Sequence, residues 1–209
     1  MDKRDCTALI VIDVQHDFLP GGALAVSDGD AVIAPVNALM QKIDRVILTQ
    51  DWHPAGHSSF ASSHAGRQPF ETVTMAYGEQ TLWPEHCIQG SHGATFHEAL
   101  DQDRAELILR KGFNPAIDSY SAFQENDRVT TTGLDGYLRE RGISRLVLAG
   151  LAFDYCVAWS ALDAAARGYE TLVVRDACRG IDLDGSMAAA ENAMLEAGVQ
   201  LVSMDEVAN

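Results

Sequence analysis

The segment from Leu146 to Gly168, LVLAGLAFDYCVAWSALDAAARG, constrains the fold more than any other stretch of this chain. Leu146 to Ala149 is a short apolar run of the kind buried as a strand. Gly150 permits a turn, and Asp154 stands where an N-cap carboxylate would open a helix. Cys156, Trp159, Ser160, Asp163 and Ala164 then recur at helical spacing until Gly168. The pattern is strand, turn, helix, with Cys156 in the first helical turn just past the carboxyl end of a strand. Free backbone N–H groups and the helix dipole favour a thiolate there. Ligands of open α/β sheets gather at the same edge. On this stretch alone, a buried structural cysteine is the competing reading.

The rest of the chain repeats the alternation. Strands are predicted at Thr7–Ile12, Arg45–Thr49, Leu107–Leu109, Arg145–Ala149, Glu170–Val174 and Val199–Ser203. Helices are predicted at Asp28–Ile43, where Pro35 is an awkward guest, at Leu134–Arg141, after Asp154, and at Gly185–Gly198. Apolar strands alternating with helices imply an α/β fold, a six-stranded parallel sheet with helices on both faces.

A chain of 209 residues, 47% of them apolar, suits one domain spanning 1–209 with a full core. The net charge of −15 argues against nucleic acid and anionic membranes as partners. The opening MDKRDC and the apolar run Thr7–Val14, broken by Asp13, are too short and too charged for a signal peptide or a membrane span. Cys6, Cys87, Cys156 and Cys178 form no C-x-x-C pair, which fits free thiols in a reducing cytoplasm. Monomer and homo-oligomer both remain open.

Residues 51–104 break the alternation. Such a long aperiodic segment is either functional or disordered, and Trp52, Trp83, Phe60, Phe70 and Phe96 oppose disorder. Six of the seven histidines fall here. Asp51 and His53, at i and i+2 on an extended segment, point to one side and can share a cation. His86 offers a second imidazole, and His57 is a further candidate. A mixed carboxylate and imidazole set suits Zn²⁺, Fe²⁺ or Mn²⁺. His64, His92 and His97 are read as surface or structural histidines, and Cys87 as buried rather than ligating.

Two more strand ends carry charge. Asp13 closes the first strand and Lys111 the third. In a parallel sheet the carboxyl ends share one edge, so Asp13, Lys111 and Cys156 can converge as acid, cation and thiol, a nucleophilic site.

Taken together, the blocks IDVQHDF (12–18), GGALAV (21–26), TQDWHP (49–54), HSSF (57–60), WPEHC (83–87), Lys111-Gly112, DSYSAF (118–123) and GLAFDYC (150–156) resemble the nicotinamidases (pyrazinamidases), within the isochorismatase-like cysteine hydrolases. The blocks run in that family's order along nearly the whole chain. The resemblance implies hydrolysis of nicotinamide, and of pyrazinamide, to the acid and ammonia in NAD salvage. It implies Cys156 as nucleophile, Asp13 as general base and acid, and Lys111 as electrostatic support. Asp51, His53 and His86 would hold one divalent metal, Zn²⁺ foremost and Fe²⁺ or Mn²⁺ next, to which the pyridine nitrogen binds. A cis Leu151–Ala152 bond would present the Ala152 and Cys156 N–H groups as an oxyanion hole. Phe18, Trp83, Tyr120 and Leu151 would wall the substrate pocket. Two residues depart from the family's pattern: His16 replaces a usual asparagine, and Phe153 a smaller residue. A Phe153 ring leaning into the pocket would make Phe153→Thr widen the substrate range. Two rival readings are a different hydrolysis on the same fold, of a vinyl ether or a carbamoyl compound, and a metal- or thiol-based sensor. Neither of those hydrolyses calls for the Asp51, His53 and His86 set.

Overall fold

A computed structural model describes residues 6–208; the Met1–Asp5 part of the amino terminus lies outside them. Six parallel strands form the sheet: β1 (Thr7–Ile12), β2 (Val46–Asp51), β5 (Ala105–Lys111), β6 (Arg145–Gly150), β7 (Glu170–Cys178) and β8 (Gln200–Val202). Their order is β5-β2-β1-β6-β7-β8. β1 and β2 are buried along their whole length, as apolar runs covered on both faces should be.

From β1 the chain steps outward to β2 and β5, then crosses back to β6 and continues the other way. Right-handed crossovers taken in opposite directions put their helices on opposite faces. Helix α1 (Ile33–Met40) therefore covers one face, and α2 (Leu134–Glu140), α3 (Ala158–Ala166) and α4 (Ser186–Glu196) the other. The direction reverses between β1 and β6, and the crevice beyond their carboxyl ends is where such a sheet takes ligands. Among the described residues, no helix is long and apolar enough to cross a membrane, and none of the four cysteines is disulfide-bonded.

Several elements differ in extent from the sequence expectation. α1 starts at Ile33 after a 3-10 turn, Gly29–Val32. Pro35 has no N–H to give a longer helix, but it is tolerated in a first turn, where N–H groups lack partners anyway. β5 is longer than Leu107–Leu109 because Glu106 and Arg110, the charged residues beside that run, point outward on an edge strand. Residues 51–104 contain a short antiparallel hairpin, β3 (Thr72–Met75) with β4 (Gly78–Thr81). Side chains fasten the rest. Gln15 donates to the carbonyls of Asp51 and Ala94, both at 2.8 Å, and receives the Asp51 N–H at 2.8 Å.

Candidate active site

Strand ends bring the acid, the cation and the thiol together. Asp13, directly after β1, sits at φ 49°, in the left-handed region. Thr49 holds it there: Thr49 Oγ1 accepts the Asp13 N–H at 3.2 Å and donates to Asp13 Oδ1 at 2.6 Å. Lys111, at the end of β5, reaches across the end of β2. Its Nζ lies 2.6 Å from Asp51 Oδ1, 2.8 Å from Asp13 Oδ2 and 3.4 Å from Cys156 Sγ, and donates to the Ser119 carbonyl at 3.1 Å. All four side chains are buried.

Burial and neighbouring charge divide the labour among these groups. Burial pushes the Cys156 thiol well above its ordinary range; Lys111 pulls it down, and Asp13 and Asp51 push it up again. The resting sulfur is a thiol that needs a base. Burial also raises the Asp13 carboxyl, against the pull of Lys111 and with the help of Asp51. Burial opposes the charge on Asp51 too, yet Lys111 and His53 hold that carboxyl well below the usual carboxylate range. Lys111 is held far above the ordinary lysine value by its two carboxylates, despite the cost of burial. Two carboxylates thus have opposite tendencies: Asp13 is poised to take up a proton and Asp51 to remain an anion.

Cys156 is presented by a π-turn, Phe153–Val157, in which the Val157 N–H reaches back to the Ala152 carbonyl at 3.1 Å. Such wide turns recur at functional sites. Gly150 makes the approach feasible, because a Cβ there would lie 2.2 Å from the Ile12 carbonyl oxygen. The Leu151–Ala152 bond is cis. Among the described residues the Ala152 N–H, at the pocket wall, has no protein acceptor. Asp154 is not the N-cap expected of it. Its carboxylate accepts the Ile181 and Asp182 N–H groups at 3.0 and 2.8 Å and the Ser186 hydroxyl, tying the loop before α4 to the Cys156 turn.

On the other side of Lys111, Asp51, His53 and His86 place one ligand atom each within 4.8 Å of one another. His53 Nε2 lies 3.3 Å and His86 Nε2 3.6 Å from Asp51 Oδ2. His53 Nδ1 donates to the Gly112 carbonyl and His86 Nδ1 to the Pro84 carbonyl, both at 2.9 Å, which leaves each Nε2 lone pair facing inward. His53 Nε2 is buried with no hydrogen-bond partner, a cost that a cation would remove. The donor set therefore fits a divalent transition metal. Gly112 keeps the imidazole in place, since a Cβ there would come within 2.4 Å of His53 Cε1. His57 does not join this set. Its Nε2 faces the Asn114 carbonyl at 2.8 Å and its Nδ1 accepts the Ser59 N–H at 3.1 Å, and it belongs instead to a neighbouring buried group with His53 and Asp118, whose donor atoms also lie within 4.8 Å of one another.

A narrow pocket joins the two halves. Phe18, Trp83 and Tyr120 line it as expected, together with Asp51, His53, His86, Ala152 and Cys156. Leu151 does not: it is fully buried in the core, because the chain turns beneath the pocket there. Leu24, Asp118, Tyr155 and Ile181 complete the wall and were not among the sequence candidates for it. Trp83 Nε1 donates to Tyr120 Oη at 3.0 Å, and Tyr155 meets Trp83 edge to face at 4.8 Å.

Phe153 also points away from the pocket. It is fully buried, with the Arg175 guanidinium 4.4 Å above its ring. Phe153→Thr should therefore leave the substrate profile unchanged and destabilise the protein by about 3–5 kcal/mol, as other large-to-small core changes do. Urea unfolding beside a panel of ring-substituted amides checks both expectations.

A protein-family model described as Isochorismatase domain matches residues 7–206. The chain belongs to the isochorismatase family. Within that family it is similar to a nicotinamidase from Acinetobacter baylyi, 52% identical over 203 residues, covering 97% of this chain and 95% of that protein. Its fold is similar to a solved nicotinamidase/pyrazinamidase of Acinetobacter baumanii, with a TM-score of 0.96 and 53% identity over 97% of this chain and 98% of that one. It is also similar to a pyrazinamidase of Pyrococcus horikoshii solved in complex with zinc, with a TM-score of 0.76 and 35% identity over 95% and 99% of the two chains.

Proposed function

We propose that this isochorismatase-family chain is a nicotinamidase, one amidohydrolase domain over residues 1–209 that converts nicotinamide to nicotinate and ammonia and accepts pyrazinamide. The observation that carries the reading is the placing of Cys156 Sγ. It stands 3.4 Å from Lys111 Nζ, on the wall of a pocket that the Asp51, His53 and His86 set also lines. A flat heteroaromatic amide suits such a pocket: Phe18, Trp83, Tyr120 and Tyr155 offer aromatic surface, and the thiol meets the carboxamide carbon. Asp51, His53 and His86 would hold the divalent metal, Zn²⁺ first by donor type, whose Lewis acidity anchors the pyridine nitrogen.

In the mechanism Asp13 takes the Cys156 proton, and the thiolate attacks the amide carbon. A C–S bond forms as the carbonyl π electrons move onto oxygen. The N–H groups of Ala152 and Cys156 stabilise that oxyanion where its charge develops. Asp13 returns the proton to nitrogen, the C–N bond breaks and ammonia leaves a thioester. Asp13 then deprotonates a water molecule, whose oxygen attacks the same carbon; the C–S bond breaks as Asp13 returns that proton to the Cys156 sulfur, and the acid leaves as the carboxylate after releasing its own proton to solvent. Lys111 stays an ammonium throughout and lowers the cost of each thiolate. Unbridged thiols suit a cytoplasmic setting.

The test combines ammonia release from nicotinamide with metal analysis. His53→Ala and His86→Ala should each strip bound metal and raise KM, because the ring nitrogen loses its anchor. Full metal content with normal affinity in both variants would remove these residues from the ligand set, and absence of ammonia release in the metal-loaded parent would refute the activity.

A further inference from the structure

The Asp51, His53 and His86 set comes from two separate stretches of chain, and a carboxylate outside the set ties them together. Asp17 lies on the turn that follows β1, next to the pocket residue Phe18. Its Oδ2 accepts the Cys87 N–H at 2.7 Å and its Oδ1 the Ala23 N–H at 3.3 Å. Cys87 directly follows His86 and sits at φ 47°, in the left-handed region. A residue other than glycine stays there only where its surroundings hold it. The Cys87 carbonyl in turn accepts the His53 N–H at 3.0 Å, and the Gln89 N–H donates to the His53 carbonyl at 2.8 Å. Cys87 thus stands between the two imidazoles, joined to His86 by the peptide bond and to the His53 backbone by its carbonyl.

We propose that Asp17 is a positioning residue for the Asp51, His53 and His86 set, a role that rests on the metal-binding reading of those three residues. Its carboxylate fixes the peptide between His86 and Cys87, and with it the turn from which the Cys87 carbonyl meets His53. Loss of the carboxylate lets Cys87 leave the left-handed region, and that rotation displaces both His86 and the backbone anchor of His53. A carboxylate suits the task because it offers only acceptors, and an N–H bond to an anion is about twice as strong as one to a neutral group. The surroundings are built closely around it. The Asp17 N–H donates to the Gly93 carbonyl at 3.0 Å, and a Cβ at Gly93 would collide with the Asp17 carboxylate. Asp17 also fastens the pocket wall, since its carbonyl accepts the N–H of Leu24 at 2.9 Å. Groups that orient metal ligands commonly set affinity by about 10–100-fold.

The test is competition for Zn²⁺ between the loaded full chain and a chromophoric chelator. Asp17→Ala should weaken Zn²⁺ retention by about 10–100-fold. Asp17→Asn, whose amide oxygen can still accept the Cys87 N–H, should recover part of that loss. Gly93→Ala displaces the carboxylate without altering it, so it should weaken retention in the same direction, and it serves if Asp17→Ala does not fold. Phe153→Thr controls for a general loosening of the fold: it should lower Tm and hold Zn²⁺ as the parent does. Parent-like retention in Asp17→Ala and Gly93→Ala, beside loss in His86→Ala, overturns the role of Asp17 alone. An equal loss in Phe153→Thr overturns it too. A parent that holds no Zn²⁺ overturns the metal-binding reading and this role with it.

Discussion

Lys111→Met is expected to shift the alkylation midpoint of Cys156 to higher pH, abolish turnover and weaken the fold. The ammonium is the favourable neighbour of three acidic groups at once, 2.6 Å from Asp51, 2.8 Å from Asp13 and 3.4 Å from the sulfur. Methionine keeps much of the length and removes the charge. Lys111 lowers the pKa of the thiol, so its loss raises a pKa that burial has already raised. Iodoacetamide reacts through the thiolate, and its pH profile for Cys156 should move upward. Removing one member of a buried ion pair costs about 3–5 kcal/mol, because Asp13 and Asp51 are left facing each other. The sign with pH follows from the raised Lys111 value: the parent keeps this stability while the lysine is protonated and loses it as pH climbs through that value. Urea unfolding at neutral pH should show the deficit in Lys111→Met. An unmoved alkylation midpoint would mean that Lys111 does not bear on the sulfur.

The acid, cation and thiol were legible in the sequence for a simple reason. Asp13, Lys111 and Cys156 are polar groups at or just past the ends of apolar runs, and parallel strands bring such ends to one edge. Asp51 and His53 were legible through their i, i+2 spacing on an extended strand. The pocket wall was not. Leu24 and Ile181 are ordinary apolar residues, and whether an apolar side chain faces a cavity or the core depends on packing that local sequence does not carry. Asp154 misled because a carboxylate at the start of a helix looks the same whether it caps that helix or clamps a distant loop. Leu151 depended on how the chain turns beneath the pocket, and Phe153 on the π-turn that it opens. One extra residue in a turn rotates the frame by about 100°, enough to direct a ring expected at the pocket into the core. The β3–β4 hairpin was hidden because TVTM and GEQT bury so little that no apolar periodicity marks them.

Asp13→Asn is expected to separate two properties that usually fall together, catalytic rate and thiol reactivity. The amide keeps the shape of the carboxylate and can still accept the Thr49 hydroxyl that now lies 2.6 Å from Oδ1. It cannot take a proton. Thiol deprotonation, ammonia departure and water attack all use this one group, so turnover should fall by about 10²–10⁴-fold, the range for loss of a general base, and toward its upper end. The sulfur responds in the opposite sense. Asp13 disfavours the thiolate both as a nearby anion and as an acceptor of the thiol hydrogen. Its neutralisation leaves Lys111 with the sulfur and Asp51, so the alkylation midpoint of Cys156 should move to lower pH. Mass spectrometry of labelled peptides should place the label on Cys156, with Cys87 and Cys178 slow because burial raises both thiols. A collapsed site would lose turnover and alkylation together. A general base removed from an intact site loses the first and gains the second, and a midpoint that rises or stays fixed in Asp13→Asn would end the assignment of Asp13 as the base that faces the thiol.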